Sequence, residues 1–390
     1  MKILFLSSEL APERAGGIAT YIATIAPAMA ARGHEVHVLS CAPEHESRDD
    51  QADGVWWHRR RLAGGDRAMN MKKYRQTALR LATSFSCRRE LARLGTRFDV
   101  IESPEWLAEG LLLGAMKATP IVINLHTPLH VLFSFDVRGF NLDLRMADRI
   151  ERLALRRARA VTSTSELLAD TLCADGWLKR RPRIIPYPVD VDTWNVGRPV
   201  GDTKPVILVV GRLEPRKSPD VAVEAAALLT AEIPDLELVF VGRSRGYHKR
   251  RPYGEFVAEL AEKRNVRVRL VPQMTNLEVR QLYAEARVVA VPSLFESFSI
   301  AALEGIASGR PVVYTSRIGA AEVLRGSDVG TEVPPSDPEA LAAALKPFLA
   351  DATHAARAGE LARDLARSKC GPDIIALERE RCFEDALAAH

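Results

Sequence analysis

Short apolar runs alternate with stretches of helical period along the whole chain. In the first half, the runs Ile3–Ser7, Glu35–Ser40, Val55–Arg61, Asp99–Glu102, Pro120–His126, Ala160–Ser163 and Arg183–Ile185 predict strands. In the second half, Val206–Gly211, Leu236–Gly242, Val266–Val271, Val288–Pro292, Pro311–Thr315 and Val329–Val333 do the same. Between them, Ile18, Tyr21, Ile22, Ile25 and Met29 recur on one helical stripe. The runs at 3–7 and 206–210 are apolar without alternation, as parallel strands covered on both faces are. Strands alternating with helices predict βαβ units and parallel sheets.

The fold class is therefore α/β. With 390 residues the chain exceeds the roughly 250–300 that one core supports. Pro186–Asp202, with three prolines, two glycines and little periodicity, predicts the linker. The expected architecture is two doubly wound, Rossmann-like domains, 1–188 and 189–372, facing each other across a cleft. A helical tail at 373–390 is expected to pack back on the first domain. In such sheets ligands bind beyond the carboxyl ends of the strands.

Composition removes several classes. Hydrophobic residues are 47% and charged residues 27%, as in ordinary globular proteins. No apolar run approaches the ~18 residues of a bilayer span. The start, MKILFLSSEL, continues into acidic and polar residues without a small-residue cleavage site, so no secretory leader is expected. Cys41, Cys87, Cys173, Cys370 and Cys382 form no C-x-x-C pair, which predicts neither a disulfide framework nor a zinc site and fits the cytoplasm. The net charge of +4 hides a basic tract: Trp56–Arg97 holds 12 Lys and Arg against 2 Asp and Glu. Such a tract attracts phosphates, anionic lipid or nucleic acid, or merely solvates a helix. It lacks the interleaved aromatics of base stacking, so no nucleic acid is expected. It lacks a wide apolar face, so at most weak, salt-reversible membrane contact is expected.

Three loops after strands carry candidate chemistry. In residues 3–21, Gly16-Gly17 opens a helix, where free amides favour anions, or forms a plain tight turn. The pattern is neither G-x-G-x-x-G nor a P-loop. In GRLEPRK, residues 211–217, Arg212 and Lys217 flank a turn stiffened by Pro215 and suit a diphosphate. In residues 289–313, Glu296 precedes a helix expected from about Ser299 to Ser308, and Glu304 lies two turns on. Those carboxylates are about 12 Å apart by helical rise, too far to share a proton but suited to one long ligand. Glu304 sits among Ile300, Ala301, Leu303 and Ile306, where an unpaired carboxylate is costly. Asp190-Val191-Asp192 has a metal-type spacing but falls in the linker, and no metal is expected there.

With these loops in this order the chain resembles the retaining glycosyltransferases of family 4, of GT-B fold. The most specific element is the pair of glutamates in FESFSIAALEG, followed by Gly309-Arg310-Pro311-Val312-Val313. INLHTP at 123–128, IIPYPVD at 184–190 and Gly16-Gly17 also match in order. Ser297 and Ser299 stand where the family usually has glycine, and Glu102-Ser103-Pro104-Glu105-Trp106 stands where relatives often have a histidine.

The resemblance implies that Arg212 and Lys217 hold the diphosphate of a nucleotide sugar, UDP- or GDP-linked. It implies that Glu304 accepts from the ribose, and that Glu296 grips the sugar beside the amides of Phe298, Ser299 and Ile300. Gly16 and Gly17 are implied donor contacts. His126 is implied to touch sugar and acceptor, so the catalytic set is His126, Glu296, Arg212 and Lys217. It further implies retention of configuration, a leaving phosphate oxygen that takes the acceptor proton, no metal and no separate cofactor. The acceptor is a small molecule or glycan hydroxyl. Other readings are an epimerase or hydrolase of the same fold, or a polyanion- or membrane-surface-binding protein.

Overall fold

The computed structural model describes residues 1–10, 16–116, 119–135 and 140–389. The chain divides into two compact units, Met1–Pro188 with Pro372–His390, and Val189–Gly371. All the predicted strands are present, with ends displaced by two residues at most.

The first unit holds β1 Lys2–Leu6, β2 Glu35–Ala42, β3 Arg48–Ala52, β4 Val55–Arg61, β5 Val100–Pro104, β6 Ile121–Leu125, β7 Ala160–Ser163 and β8 Arg183–Ile184. They form one sheet in the order β3-β4-β2-β1-β5-β6-β7-β8. All neighbours run parallel except β3 with β4. β5 and β6 bury every residue, as strands with helices on both faces must. Connections change direction between β1 and β5, so the loops that leave their carboxyl ends diverge and open a crevice. The helix Pro372–Ala388 belongs to this unit, and its Phe383 meets Phe5 of β1 with ring centroids 6.3 Å apart.

β3 is absent from the sequence expectation. Its residues, Arg-Asp-Asp-Gln-Ala, are all exposed, so no apolar alternation marks it. It lays two acids beside the arginines of β4: Arg59 bonds Asp50 at 2.9 Å and Arg60 bonds Asp49 at 2.7 Å. Arg61 pairs with Asp66 at 2.8 Å. Part of the basic excess is thus answered by Asp49 and Asp50 from outside the tract and by Asp66 within it, and its basic face contracts toward Lys72, Lys73, Arg75 and Arg88. The helix Arg75–Leu94 turns Thr77, Arg80, Ser84 and Glu90 inward and leaves Leu81 and Phe85 half exposed. Its buried Arg80 bonds the equally buried Glu151 at 2.6 Å.

The second unit is an all-parallel sheet of β9 Val206–Val210, β10 Glu237–Val241, β13 Val268–Val271, β14 Val288–Val291, β15 Val312–Thr315 and β16 Gly330–Val333. A small hairpin, β11 Tyr247–His248 with β12 Arg251–Pro252, lies apart from it. The sheet order is β13-β10-β9-β14-β15-β16. Counted along the chain this is 3-2-1-4-5-6, with its switch point between β9 and β14. The expected linker is not bare: Val191–Trp194 forms a helical turn, and Val191, Trp194 and Val200 are buried. Among the described residues, no helix is long and apolar enough to cross a membrane.

Candidate active site

The second unit concentrates its charges at the switch point. Gly211 directly follows β9, with φ +141°, where a side chain is strained. A Cβ on Gly242, at the end of β10, would strike the Gly211 carbonyl, so these strand ends are packed bare. The loop after β9 turns through Pro215–Lys217. Lys217 Nζ lies 2.6 Å from Glu296 Oε2, and Ser293 Oγ donates to Glu296 Oε1 at 2.6 Å. Burial pushes the Lys217 ammonium below its ordinary range, and Glu296 partly opposes that. Burial alone would raise the Glu296 carboxyl, but Lys217 and Arg216 outweigh it and hold it low.

Arg216 escaped the sequence reading. It is buried, donates to the Phe295 carbonyl at 2.7 Å and to Glu214 at 2.7 Å, and so ties the two loops together. Arg212 is more exposed and lies 3.3 Å from Glu214.

The helix Ile300–Ala307 begins one residue after Ser299. Phe298 is buried and its carbonyl accepts from Ala320 N at 2.8 Å. Ser299 has φ +105°, a region that favours glycine, the residue expected there from the family pattern. Glu304 is buried, and the partner that such a carboxylate needs is Tyr283, whose Oη donates to its Oε2 at 3.0 Å. Burial still pushes Glu304 up to about 8, and the Tyr283 bond opposes that only in part. Asp190 caps the turn after it by accepting from Asp192 N at 3.1 Å, and Asp192 lies 3.4 Å from Arg367.

In the first unit, the helix Gly17–Ala31 starts after Gly16, whose backbone is extended. A Cβ on Gly16 would run into the carboxylate of Glu9, so the glycine lets that acid approach the helix start. Residues 11–15 of this loop lie outside the described residues. His126 follows β6 and is buried. Its N–H donates to Glu105 Oε2 at 2.8 Å, its Nδ1 meets the Tyr187 hydroxyl, and its Nε2 lies 3.4 Å from Asn124 Nδ2. Burial and then Arg379 lower His126 to about 3. Both ring nitrogens are engaged within the unit, so the imidazole is a neutral, fixed group.

Two groups that act on His126, Glu105 by a hydrogen bond and Arg379 by its charge, were not read from the sequence. Glu105 is fully buried and pushed up to about 8, mainly by that burial. Arg379, from the terminal helix, is also fully buried and reaches Asn124 Oδ1 at 2.9 Å and Thr162 Oγ1 at 2.7 Å. A carboxylate after β5 in the run ESPEW was the one available signal for Glu105. Arg379 gave none, because its partners are more than 200 residues away.

Comparison with known proteins identifies the family and the fold. The family described as Glycosyltransferase Family 4 matches residues 15–193, and that described as Glycosyl transferases group 1 matches residues 190–365. A D-inositol 3-phosphate glycosyltransferase of Salinispora tropica is 30% identical over 87% of this chain and 74% of its own. Among solved structures, sucrose-phosphate synthase from Thermosynechococcus elongatus superposes with a TM-score of 0.80, at 23% identity and full coverage of both chains. Anabaena HepE in complex with UDP-glucose superposes with a TM-score of 0.71, at 19% identity, over 99% of this chain and 100% of that one. The chain belongs to glycosyltransferase family 4, has the GT-B fold and is a glycosyltransferase.

Proposed function

We propose that the protein moves a hexosyl group from a nucleoside-diphosphate sugar to a hydroxyl of a small molecule or glycan, with retention at the anomeric carbon. The observation that carries this reading is the buried Lys217–Glu296 pair at the β9–β14 switch point. It sets a cation for phosphate beside a carboxylate for sugar hydroxyls, where a doubly wound sheet takes its ligand.

Arg212 and Lys217 take the diphosphate, Glu304 the ribose hydroxyls and Glu296 the sugar, with the amides of Phe298, Ser299 and Ile300 beside it. The bond from the anomeric carbon to the phosphate oxygen breaks, and a bond to the acceptor oxygen forms on the same face. The acceptor proton passes to the leaving phosphate oxygen. The engaged nitrogens of His126 support this route, since neither is open to act as general base. His126 instead lines the acceptor side. Negative charge grows on the diphosphate as the bond breaks, and fixed cations stabilise it. Losing one such group typically costs about 10²–10³ in rate. With cations in that role, the reaction proceeds without a metal and survives chelation.

The relative that resembles this chain in sequence is named for an inositol phosphate acceptor, which supports a small hydroxylated acceptor here. The location we propose is cytoplasmic. Release of nucleoside diphosphate, followed with UDP-, GDP- and ADP-sugars with and without a panel of polyols, sugar phosphates and glycans, tests the reading. Release that depends on acceptor supports transfer. Release or donor isomerisation that ignores the acceptor favours a hydrolase or epimerase of the same fold.

A further inference from the structure

A cavity of about 380 Å³ in the second unit is lined by Arg198, Lys204, Val206, Glu237, Arg269 and Glu285. Val206 and Glu237 are the first residues of β9 and β10, so the cavity lies at the opposite end of these strands from the switch-point loops. Its size falls in the range of small-molecule sites, roughly 300–1,000 Å³. Five of its six lining residues are charged, unlike a gap left by imperfect apolar packing. Two buried arginines hold its walls in place. Arg310 donates from Nε to the Tyr283 carbonyl at 2.6 Å and from Nη2 to the Arg198 carbonyl at 2.9 Å. Arg287 donates from Nε to Thr203 Oγ1 at 2.9 Å and from Nη2 to the Thr203 carbonyl. The segment 198–204 is thereby tied to the end of the helix Asn276–Glu285, which carries Glu285.

The charges divide into two groups. Arg269 lies 2.5 Å from Glu285 and 3.5 Å from Glu237, so one guanidinium serves both carboxylates. Arg198 donates to the Asp202 carbonyl at 2.8 Å, and neither it nor Lys204 has an ion-pair partner among the described residues. Behind them, burial and then Arg363, Arg198 and Arg287 lower Arg310 to about 10, so it stays charged at neutral pH and adds to the positive side. We infer that this cavity binds a sugar phosphate, with Arg198 and Lys204 on the phosphate and Glu237 and Glu285 on the sugar hydroxyls. A guanidinium and an ammonium without carboxylate partners suit phosphate oxygens. Carboxylates that share one guanidinium keep lone pairs, and those accept from hydroxyls. Bare phosphate leaves the carboxylates unused, and a neutral sugar leaves the cations unanswered. A hexose carrying a phosphate answers both. The site shares no residue with the switch-point loops and stands whether or not they bind a nucleotide sugar.

Glucose 1-phosphate, glucose 6-phosphate and fructose 6-phosphate are titrated calorimetrically into the full chain, beside glucose and inorganic phosphate. The tightest hexose phosphate is carried to Arg198→Gln and Lys204→Gln, whose side chains are exposed, so the fold does not depend on them. Wild-type protein should bind it at least about 10-fold more tightly than glucose or inorganic phosphate, and each variant should bind it about 10-fold or more weakly than wild type. Glu237→Gln should weaken the hexose phosphate and spare inorganic phosphate. Wild-type protein that binds none of the three hexose phosphates overturns the inference. Binding that both cation variants leave within about two-fold of wild type also overturns it, because the ligand then sits elsewhere, as an acceptor in the first unit would. Equal affinity for hexose phosphate and inorganic phosphate reduces the cavity to an anion site and overturns the sugar-phosphate assignment.

Discussion

Lys217 Nζ stands 2.6 Å from Glu296 Oε2, and this contact joins the loop after β9 to the loop after β14 across the switch point. Each group satisfies the other. Under the function we propose, a diphosphate would compete for the lysine and release the carboxylate toward sugar hydroxyls.

Lys217→Met should therefore act on stability and turnover separately. It leaves Glu296 buried without its cation, and breaking a buried pair typically costs about 3–5 kcal/mol. Adding Glu296→Gln should restore most of the melting temperature without restoring transfer. A double variant no more stable than the single one contradicts the coupling.

Glu304 sets a pH window. Its carboxyl is raised from 4.5 to about 8 in the folded chain by burial. A group with a raised folded pKa stabilises the fold below about 4.5, and that contribution is lost as pH climbs through about 8. Glu304→Gln cannot ionise, so its melting temperature should gain on wild type between those limits. Parallel melting curves from pH 5 to 9 would show that the fold does not raise the Glu304 carboxyl.

Arg379 carries only donors, so the atom of Asn124 that faces it is Oδ1. Nδ2 then faces His126 Nε2, which must be unprotonated, and the ring proton belongs on Nδ1 toward Tyr187. Long-range ¹H–¹⁵N spectra of histidine-labelled protein should find His126 neutral at pH 6, with its proton on Nδ1. Asn124→Asp should raise the His126 pKa by roughly 1–3 units, because it places an opposite charge beside Nε2. A proton on Nε2 in the wild-type protein would refute the assignment.

The contracted basic face should bind membranes weakly. Sedimentation with anionic vesicles should show pelleting at low salt that vanishes at physiological ionic strength. Firm pelleting at physiological salt would point to a lipid-linked acceptor.

Lys217, Glu296 and Glu304 were legible in the sequence because each lies in a local motif at fixed spacing, and the strands because parallel strands are continuous apolar runs. What escaped depends on distant partners. Tyr283 meets Glu304 from another helix, Arg216 serves Phe295 from 79 residues away, and Arg379 reaches β6 from the last helix. β3 escaped because an edge strand with no buried residue has no hydrophobic pattern to read. Ser299 was legible as a departure from glycine, whereas its positive φ and unused hydroxyl are properties of the folded loop alone.

The central claim is that the β9–β14 switch point activates a nucleotide sugar for transfer. The most direct measurement is acceptor-dependent release of nucleoside diphosphate by wild-type, Arg212→Ala and Lys217→Ala proteins, each shown to be folded. The account predicts release by the wild type and a loss of about 10²–10³ in kcat/KM in each variant. Near-native turnover in both variants would contradict it.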